Sequence, residues 1–397
     1  MVKRSGGLRL FGVAHTIAVA CLIAAYLVDG VQGLTLALLL GLLEVAVSFD
    51  NAIVNATVLA RMDAFWQQLF LTVGVAIAAV GMRLLAPLAV VSVGAHLDPI
   101  RAVDLAYSDP TRYHQLLLAA QPGIAAFGGA FLLMIFLEFA TEEHEHEWIA
   151  WIERPLRRIG NFIPSVGQVA ILTIAICAAC TIKPSMRLSV MIGAAIGLGS
   201  YLLISGLSQR VADRADADGS SKPRSTVTGR SAFFLFCYLE LLDATFSFDS
   251  VMGAFSVTLD ISLITLGLAI GAAYIRCLTV FVVRRGTLEE YRYLEHGAYY
   301  AIGALATLLF IEVWRDVPDL LTAMIGAVII IAAVVASILA KKRQARQDRL
   351  RTQDDPDAEI HRGPGAPPRQ GGHGQIDSAE GTSTPGTGTH GNQSRTA

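Results

Sequence analysis

The strongest constraint on this chain is a series of apolar runs, each close to the length that crosses a lipid bilayer. A transmembrane helix needs about 20 largely apolar residues, and runs of that length predict about ten spans. Their approximate bounds are 11–28, 34–59, 69–93, 124–140, 166–182, 186–207, 232–257, 261–283, 298–314 and 320–340. Only 16% of the 397 residues are charged and the mean hydropathy is +0.52, whereas soluble domains carry roughly 25% charged residues. The sequence therefore predicts an all-α, polytopic membrane helix bundle.

The distribution of Lys and Arg predicts the orientation in the membrane. With the N-terminus inside, 21 Lys and Arg residues as far as Arg351 lie on the cytoplasmic side and 5 on the outer side. Cytoplasmic loops carry this excess, so both termini are predicted to be cytoplasmic. Residues 95–123 are predicted to form the longest outer loop. Residues 1–344 are predicted to form the membrane domain, and residues 345–397, which have few large apolar side chains, a disordered cytoplasmic tail.

Two copies of an acidic motif interrupt the apolar runs. The first places Glu44 and Asp50 in the second predicted span, and the other places Asp243 and Asp249 in the seventh. Both copies end in Ser-Phe-Asp. A charge near the middle of a membrane helix costs roughly 2.5–3.5 kcal/mol, so favourable interactions must offset about 10 kcal/mol or more for four acids. We interpret the four acids as a functional site.

The motif belongs to a longer internal repeat, with copies at about 34–140 and 232–314. Further matches are 72–83 with 265–276, ending in Arg83 and Arg276, and Gly129 to Glu138 with Gly303 to Glu312. Matching spans are five apart in order, so the two copies are predicted to cross the membrane in opposite directions. Such an inverted-topology repeat is typical of secondary transporters, whose sites lie near the bilayer midplane between the repeats.

The spacing of the motif leaves two geometries open. On an ideal helix Glu44, Ser48, Asn51 and Asn55 form one stripe, and Asp243, Ser247 and Ser250 form the matching one. Six positions turn a helix by about 600°, so Asp50 and Asp249 fall outside the stripes. The acids can reach one ligand if the helix is broken near Ser-Phe-Asp, or if the site is elongated. Broken helices occur where they line a cavity, and the sequence favours a break.

The ligands available at the motif are carboxylate, amide and hydroxyl oxygens. They suit a hard divalent cation such as Mn²⁺ or Ca²⁺, and Mg²⁺ less well because it dehydrates reluctantly. The predicted metal ligands are Glu44, Asp50, Asn51, Asp243 and Asp249. The predicted supporting residues are Ser48, Asn55, Arg83, Glu138, Ser247, Ser250, Arg276 and Glu312. The alternative is that the acids and arginines form structural ion pairs between helices.

Other patterns narrow the choice of function. The Glu- and His-rich segment 142–147 could capture a metal, or it could be a solvated charged loop. Loop 141–165, which contains this segment, and the C-terminal tail could also bind cytoplasmic proteins. Gly193 and Gly197, like Gly267 and Gly271, have the small-xxx-small spacing of close helix packing. The sequence has no nucleophile elbow, phosphate loop, dinucleotide fingerprint or basic patch with aromatics. We therefore expect neither an enzyme, an organic cofactor nor a nucleic-acid partner.

The acidic motif, Glu44-x3-Ser48-Phe49-Asp50-Asn51 with its second copy, resembles the TerC family within the superfamily of LysE-type exporters. The run from Gln121 to Glu138 resembles the branch labelled domain of unknown function 475, and the resemblance covers about residues 34–340. It implies a bacterial inner-membrane protein, since members are associated with tellurite resistance and several relatives with export of manganese or other divalent ions. It also implies that the acids of the motif bind the metal.

The second copy of the motif departs from the first at two positions. It has Asp243 in place of the glutamate and Ser250 in place of the asparagine. The leading hypothesis is an exporter of divalent metal ions, Mn²⁺ first, that works by alternating access of two inverted repeats. The alternatives are a membrane scaffold of a tellurite or stress resistance complex, and a LysE-like exporter of small metabolites.

Overall fold

The computed structural model describes residues 6–141, 148–149, 151, 153–155, 184–217, 227, 229–315 and 317–354, which are mostly helical and contain no strand. The helices are α1 (Gly6–Val47), α2 (Phe49–Leu59), α3 (Ala64–Leu69), α4 (Ala86–Gly94), α5 (Pro99–Ser108), α6 (Pro110–Thr141), α7 (Pro184–Ala217), α8 (Gly229–Phe255), α9 (Ile261–Arg284), α10 (Thr287–Glu290), α11 (Leu294–Glu312) and α12 (Asp319–Asp354). Two π-helical segments, Phe70–Gly74 and Ile77–Leu85, lie between α3 and α4. Contacts divide the chain into two units, Met1–Lys341 and Lys342–Ala397.

Eight helices in the described part are long and apolar enough to span a membrane, which confirms the prediction of an all-α, multi-pass membrane protein. The count of about ten differs for two reasons. The first two predicted spans lie largely on the two sides of a kink in α1, where Asp29 and Gly30 have non-helical backbone angles, and the two helices joined at this kink are counted as one. The span predicted at 166–182 lies outside the described residues. Large apolar side chains such as Leu27 and Val31 are exposed on α1, as expected for a surface that faces lipid.

The predicted outer loop at 95–123 is wrong, because most of it is helical. α5 begins at Pro99 and α6 at Pro110. Proline is well tolerated at the first position of a helix, where its missing N–H has no partner in any case. The Asp109 side chain also accepts a hydrogen bond from the Arg112 backbone N–H at 3.0 Å, which caps α6. The prolines therefore mark helix starts.

The last helix also extends further than predicted. α12 continues to Asp354, so residues 345–354, which were assigned to the disordered tail, are helical. Arginine and glutamine make up half of this stretch and favour a helix. The rest of the predicted tail, from residue 355, lies outside the described residues, and so does the Glu- and His-rich segment 142–147.

Helices α6 and α11 pack so that positions matched in the predicted internal repeat exchange partners. A Cβ added at Gly129 would lie 3.1 Å from the ring of Phe310, and one added at Gly303 would lie 2.7 Å from the ring of Phe136. Glycine and phenylalanine are seven positions apart in both helices. Numbers rise along α6 as they fall along α11, so the equivalent helices are antiparallel. This is the packing that an inverted repeat produces.

Glycines also bring other helix pairs into close contact. A Cβ added at Gly267 on α9 would lie 2.6 Å from the Cβ of Leu40 on α1, and one added at Gly271 would meet the side chain of Glu44. On α7, a Cβ at Gly193 would meet the backbone of Gly123 in α6. The small-xxx-small prediction is confirmed, and the α1–α9 contact places Glu44 against the second repeat.

Candidate cation site

The first acidic motif lies where the second predicted span is interrupted. α1 ends at Val47 and α2 begins at Phe49, with Ser48 between them at φ −93° and ψ 15°. The interruption is narrow, because the Ser48 N–H still donates to the Glu44 carbonyl at 2.9 Å. Helix α8, in contrast, runs without a break through 247–249. The predicted break is therefore present in the first copy and wrong for the second.

Helices α2 and α8 cross as an antiparallel pair through the centre of the site. At the crossing, Nδ2 of Asn55 donates a hydrogen bond to Oδ1 of Asp243 at 3.2 Å. One turn earlier on α2, Asn51 lines the same cavity as Phe246. The stripe that the sequence predicts on α2 thus faces the stripe on α8, as an antiparallel crossing of the two repeats requires.

The first copy contributes a buried ion pair rather than a free carboxylate. Arg83, on the π-helical segment Ile77–Leu85, donates from Nη2 to Oε1 of Glu44 and from Nη1 to the Ala78 carbonyl at 2.9 Å. The Ser48 hydroxyl donates to the same Glu44 oxygen at 3.2 Å. The exposed fractions of the Arg83 and Glu44 side chains are 3% and 2%. The structural ion pair, considered as an alternative from the sequence, is present.

The second copy contains the matching pair with one acid more. Nη2 of Arg276 donates to Oδ2 of Asp243 at 2.7 Å, and Nη1 and Nη2 donate to the two carboxylate oxygens of Glu240 at 2.8 and 2.9 Å. The guanidinium also lies 4.2 Å from the ring centroid of Phe70, a cation–π contact. Sequence reasoning missed Glu240. Its signal was the spacing of three positions before Asp243, which places both acids on one helix face.

These residues surround a small space that we call the central cavity, with a volume of about 10 Å³. It is lined by Glu44, Ser48, Asn51, Arg83, Asp243, Phe246, Ser247, Ala272, Ile275 and Arg276. A space of this size holds about one water molecule. The structure therefore brings together five of the seven predicted residues of the two stripes, with both arginines, while Ser250 lies in a second space and Asn55 bonds Asp243 beside the cavity.

Three of the remaining predicted acids line a second space, the acidic pocket, with a volume of about 40 Å³. It is lined by Val47, Ser48, Asp50, Asn51, Phe246, Asp249, Ser250, Leu305, Glu312, Val317, Thr322 and Ala323. Oδ1 of Asp50 accepts a hydrogen bond from the Asn51 N–H at 2.9 Å, and Oε1 of Glu312 accepts one from the Gln121 side chain. The acidic pocket and the central cavity share Ser48, Asn51 and Phe246, so the predicted site is elongated.

A third space lies at the opposite ends of α2 and α8 and has a volume of about 190 Å³. We call it the tyrosine pocket; it is lined by Val58, Arg61, Ile135, Glu138, Phe139, Ile204, Ser205, Phe234, Leu235, Tyr238 and Tyr299. Glu138, the repeat equivalent of Glu312, lies here. The two equivalent glutamates thus face pockets at opposite ends of the α2–α8 crossing, as the inverted repeat predicts.

Within the described part of the chain, no three His, Cys, Asp or Glu side chains are grouped so that they could hold a metal ion together. Two of the predicted metal ligands, Glu44 and Asp243, are bonded to arginines. The other three, Asp50, Asn51 and Asp249, line the acidic pocket. The predicted ligand set is therefore divided between two neighbouring spaces.

Comparison with protein families gives a match over most of the chain. A family model described as protein of unknown function (DUF475) matches residues 49–344. No curated protein and no solved structure matches the chain. The matched region begins just after the interruption at Ser48 and includes Asp50, Asp249 and Glu312. Because it covers most of the sequence, the chain belongs to the DUF475 family of proteins of unknown function.

Proposed function

We propose that this chain is a membrane transporter that moves a divalent cation, Mn²⁺ first, through the acidic pocket. The observation that carries the proposal is the lining of that pocket, which includes Asp50, Asp249 and Glu312. Asn51, Ser250 and Thr322 add amide and hydroxyl oxygens, and the described residues of the lining include no Lys or Arg. Membrane-embedded acids around a space of this kind typically mark an ion pathway.

The wide spacing of the three carboxylates fits transport better than storage. Since no three of them converge on one metal ion, a bound cation would keep some of its water molecules. Transport also requires that binding be weak enough for release. Mn²⁺ and Ca²⁺ suit such an oxygen-lined site, whereas Mg²⁺ keeps its water shell more strongly. The resemblance of the acidic motif to TerC-family exporters favours manganese and outward transport across a bacterial inner membrane with both termini inside.

The antiparallel crossing of α2 and α8 offers a route between the two ends of the molecule. The acidic pocket opens at one end and the tyrosine pocket at the other, and the central cavity lies between them. In inverted-repeat transporters the two repeats move against each other to expose a central site alternately to each side. The ion pairs of Arg83 and Arg276 would hold each repeat together during such a motion, since each arginine bonds acids of its own repeat.

Manganese flux into liposomes tests the proposal. Full-length protein is reconstituted with a Mn²⁺-quenched dye inside, and Asp50→Asn and Asp249→Asn are compared with wild type. Each variant removes one charge from the acidic pocket, so Mn²⁺ flux should fall at least about tenfold. The control is Asp104→Asn, an exposed acid on α5, which should transport normally. If both pocket variants transport Mn²⁺ at the wild-type rate while eluting as folded protein, the proposal is wrong.

A second candidate, export of a small metabolite, is favoured by the tyrosine pocket. Its volume of about 190 Å³ exceeds the need of a bare ion, and its lining carries both a positive and a negative side chain, Arg61 and Glu138. Such a pair could bind the two ends of an amino acid. The test is uptake of labelled amino acids into the same liposomes. Uptake that is unaffected by Asp50→Asn and lost in Glu138→Gln would favour this candidate. The scaffold hypothesis depends on residues 142–147 and the tail beyond 354, outside the described residues.

A further inference from the structure

The ion pairs around the central cavity do not balance in charge. Three carboxylates (Glu44, Glu240 and Asp243) face two guanidiniums (Arg83 and Arg276), and all five residues are at most 8% exposed. Fully ionised, the cluster carries one net negative charge. A buried net charge is unfavourable in a low-dielectric interior unless a counter-charge accompanies it.

The cavity itself contains an acceptor that lacks a partner. Glu44 uses Oε1 for both Arg83 and Ser48, while its other oxygen, Oε2, is buried and accepts no hydrogen bond within the described part of the chain. The same space is lined by Asn51, Asp243 and Ser247, whose side chains all carry oxygen atoms. The space is therefore lined by oxygen-bearing side chains from both repeats and has room for one particle of about the size of a water molecule.

We propose that the central cavity binds one dehydrated monovalent cation, Na⁺ in the first place, between Glu44 and the oxygens of Asn51 and Ser247. One positive charge neutralises the cluster, whereas a divalent ion would leave a net positive charge beside two arginines. The volume of about 10 Å³ has no room for a hydrated ion. This site is separate from the acidic pocket and goes beyond the proposed function. If the acidic pocket transports Mn²⁺, Na⁺ at the α2–α8 crossing is placed to couple to that transport.

Thermal unfolding of the purified full-length protein tests the site. The melting temperature is measured as choline chloride is replaced by NaCl at constant ionic strength and neutral pH. A ligand that binds only the folded state raises the melting temperature with its concentration, so a rise of a few degrees is expected in wild type. Ser247→Ala removes one lining oxygen and no charge, and should abolish most of the rise. Thr245→Val, a buried residue on the same helix whose hydroxyl bonds the Leu242 carbonyl at 2.7 Å, should retain it.

Two further variants distinguish a bound Na⁺ from a cluster that is only structural. Glu240→Gln removes the excess negative charge from a residue outside the cavity lining, and should weaken the Na⁺ response; a purely structural role would lower the melting temperature and leave the response unchanged. Asp50→Asn should retain the Na⁺ response even if it abolishes Mn²⁺ flux. The proposal is overturned if Na⁺ and choline give the same melting temperatures. If the protein is then stabilised at lower pH, that stabilisation would identify a proton as the counter-charge in place of Na⁺.

Discussion

Removing Arg276 should destabilise the protein more than any other single change at the site. The guanidinium donates three hydrogen bonds of 2.7 to 2.9 Å to Asp243 and Glu240 and is 1% exposed. Arg276→Met would leave two carboxylates buried without their cation. Breaking a buried pair in this way costs about 3–5 kcal/mol, much of it the penalty for the unpaired charge. We expect a loss of that size in the free energy of unfolding, measured in mixed micelles with increasing denaturing detergent.

A double-mutant cycle with Glu240 tests the cause of that loss. Glu240→Leu leaves Arg276 bonded to Asp243, so its cost should be smaller, about 1–3 kcal/mol. In the double variant only one carboxylate stays unpaired. Its loss of unfolding free energy should therefore be smaller than the sum of the two single losses by about 1–3 kcal/mol. Arg284→Met, at the exposed end of the same helix, should change little. Additive costs for Arg276→Met and Glu240→Leu would refute the ion-pair argument.

Two other substitutions probe the packing and the crossing. Gly303→Ala places a Cβ 2.7–2.9 Å from ring carbons of Phe136 and should cost about 1–3 kcal/mol of unfolding free energy. Adding Phe136→Leu to that variant should recover part of the loss. The control Gly206→Ala, with open space around its Cβ position, should be neutral or slightly stabilising. Asn55→Ala removes the 3.2 Å hydrogen bond to Asp243 and should cost about 1 kcal/mol while lowering Mn²⁺ flux; a variant with unchanged stability and flux would show that this contact is dispensable.

Much of the fold could be predicted from the sequence, because apolar runs in a membrane have few alternatives to helices. The inverted repeat was also visible, since its matches recur in the same order. The loop prediction at 95–123 was wrong for a definable reason. Proline is as well suited to a turn as to the first position of a helix. Only the helices that follow Pro99 and Pro110 show that both residues begin helices.

The division of the site could not be predicted, because it depends on which acids the arginines reach. Arg83 and Arg276 were expected near the acids, but spacing along the chain does not fix the partner of a long side chain. Glu240 lay in the same apolar run as Asp243 and was overlooked because the first copy has no acid at that place. The consequence is large: with Glu44 and Asp243 bonded to arginines, Asp50, Asp249 and Glu312 become the acids of the candidate pathway.

The departure at residue 240 is also where the two repeats cease to be equivalent. Its counterpart in the first copy is Gly41, which lies on α1 where a Cβ would be 3.1 Å from Ile270 and 3.2 Å from the Gly267 carbonyl. A glutamate has no room there, so the first arginine bonds one acid and the second bonds two. Close packing of α1 against α9 thus forces the charge asymmetry. An inverted-repeat transporter with one unbalanced charge near its centre has a reason to take up a counter-ion, which two identical halves would lack.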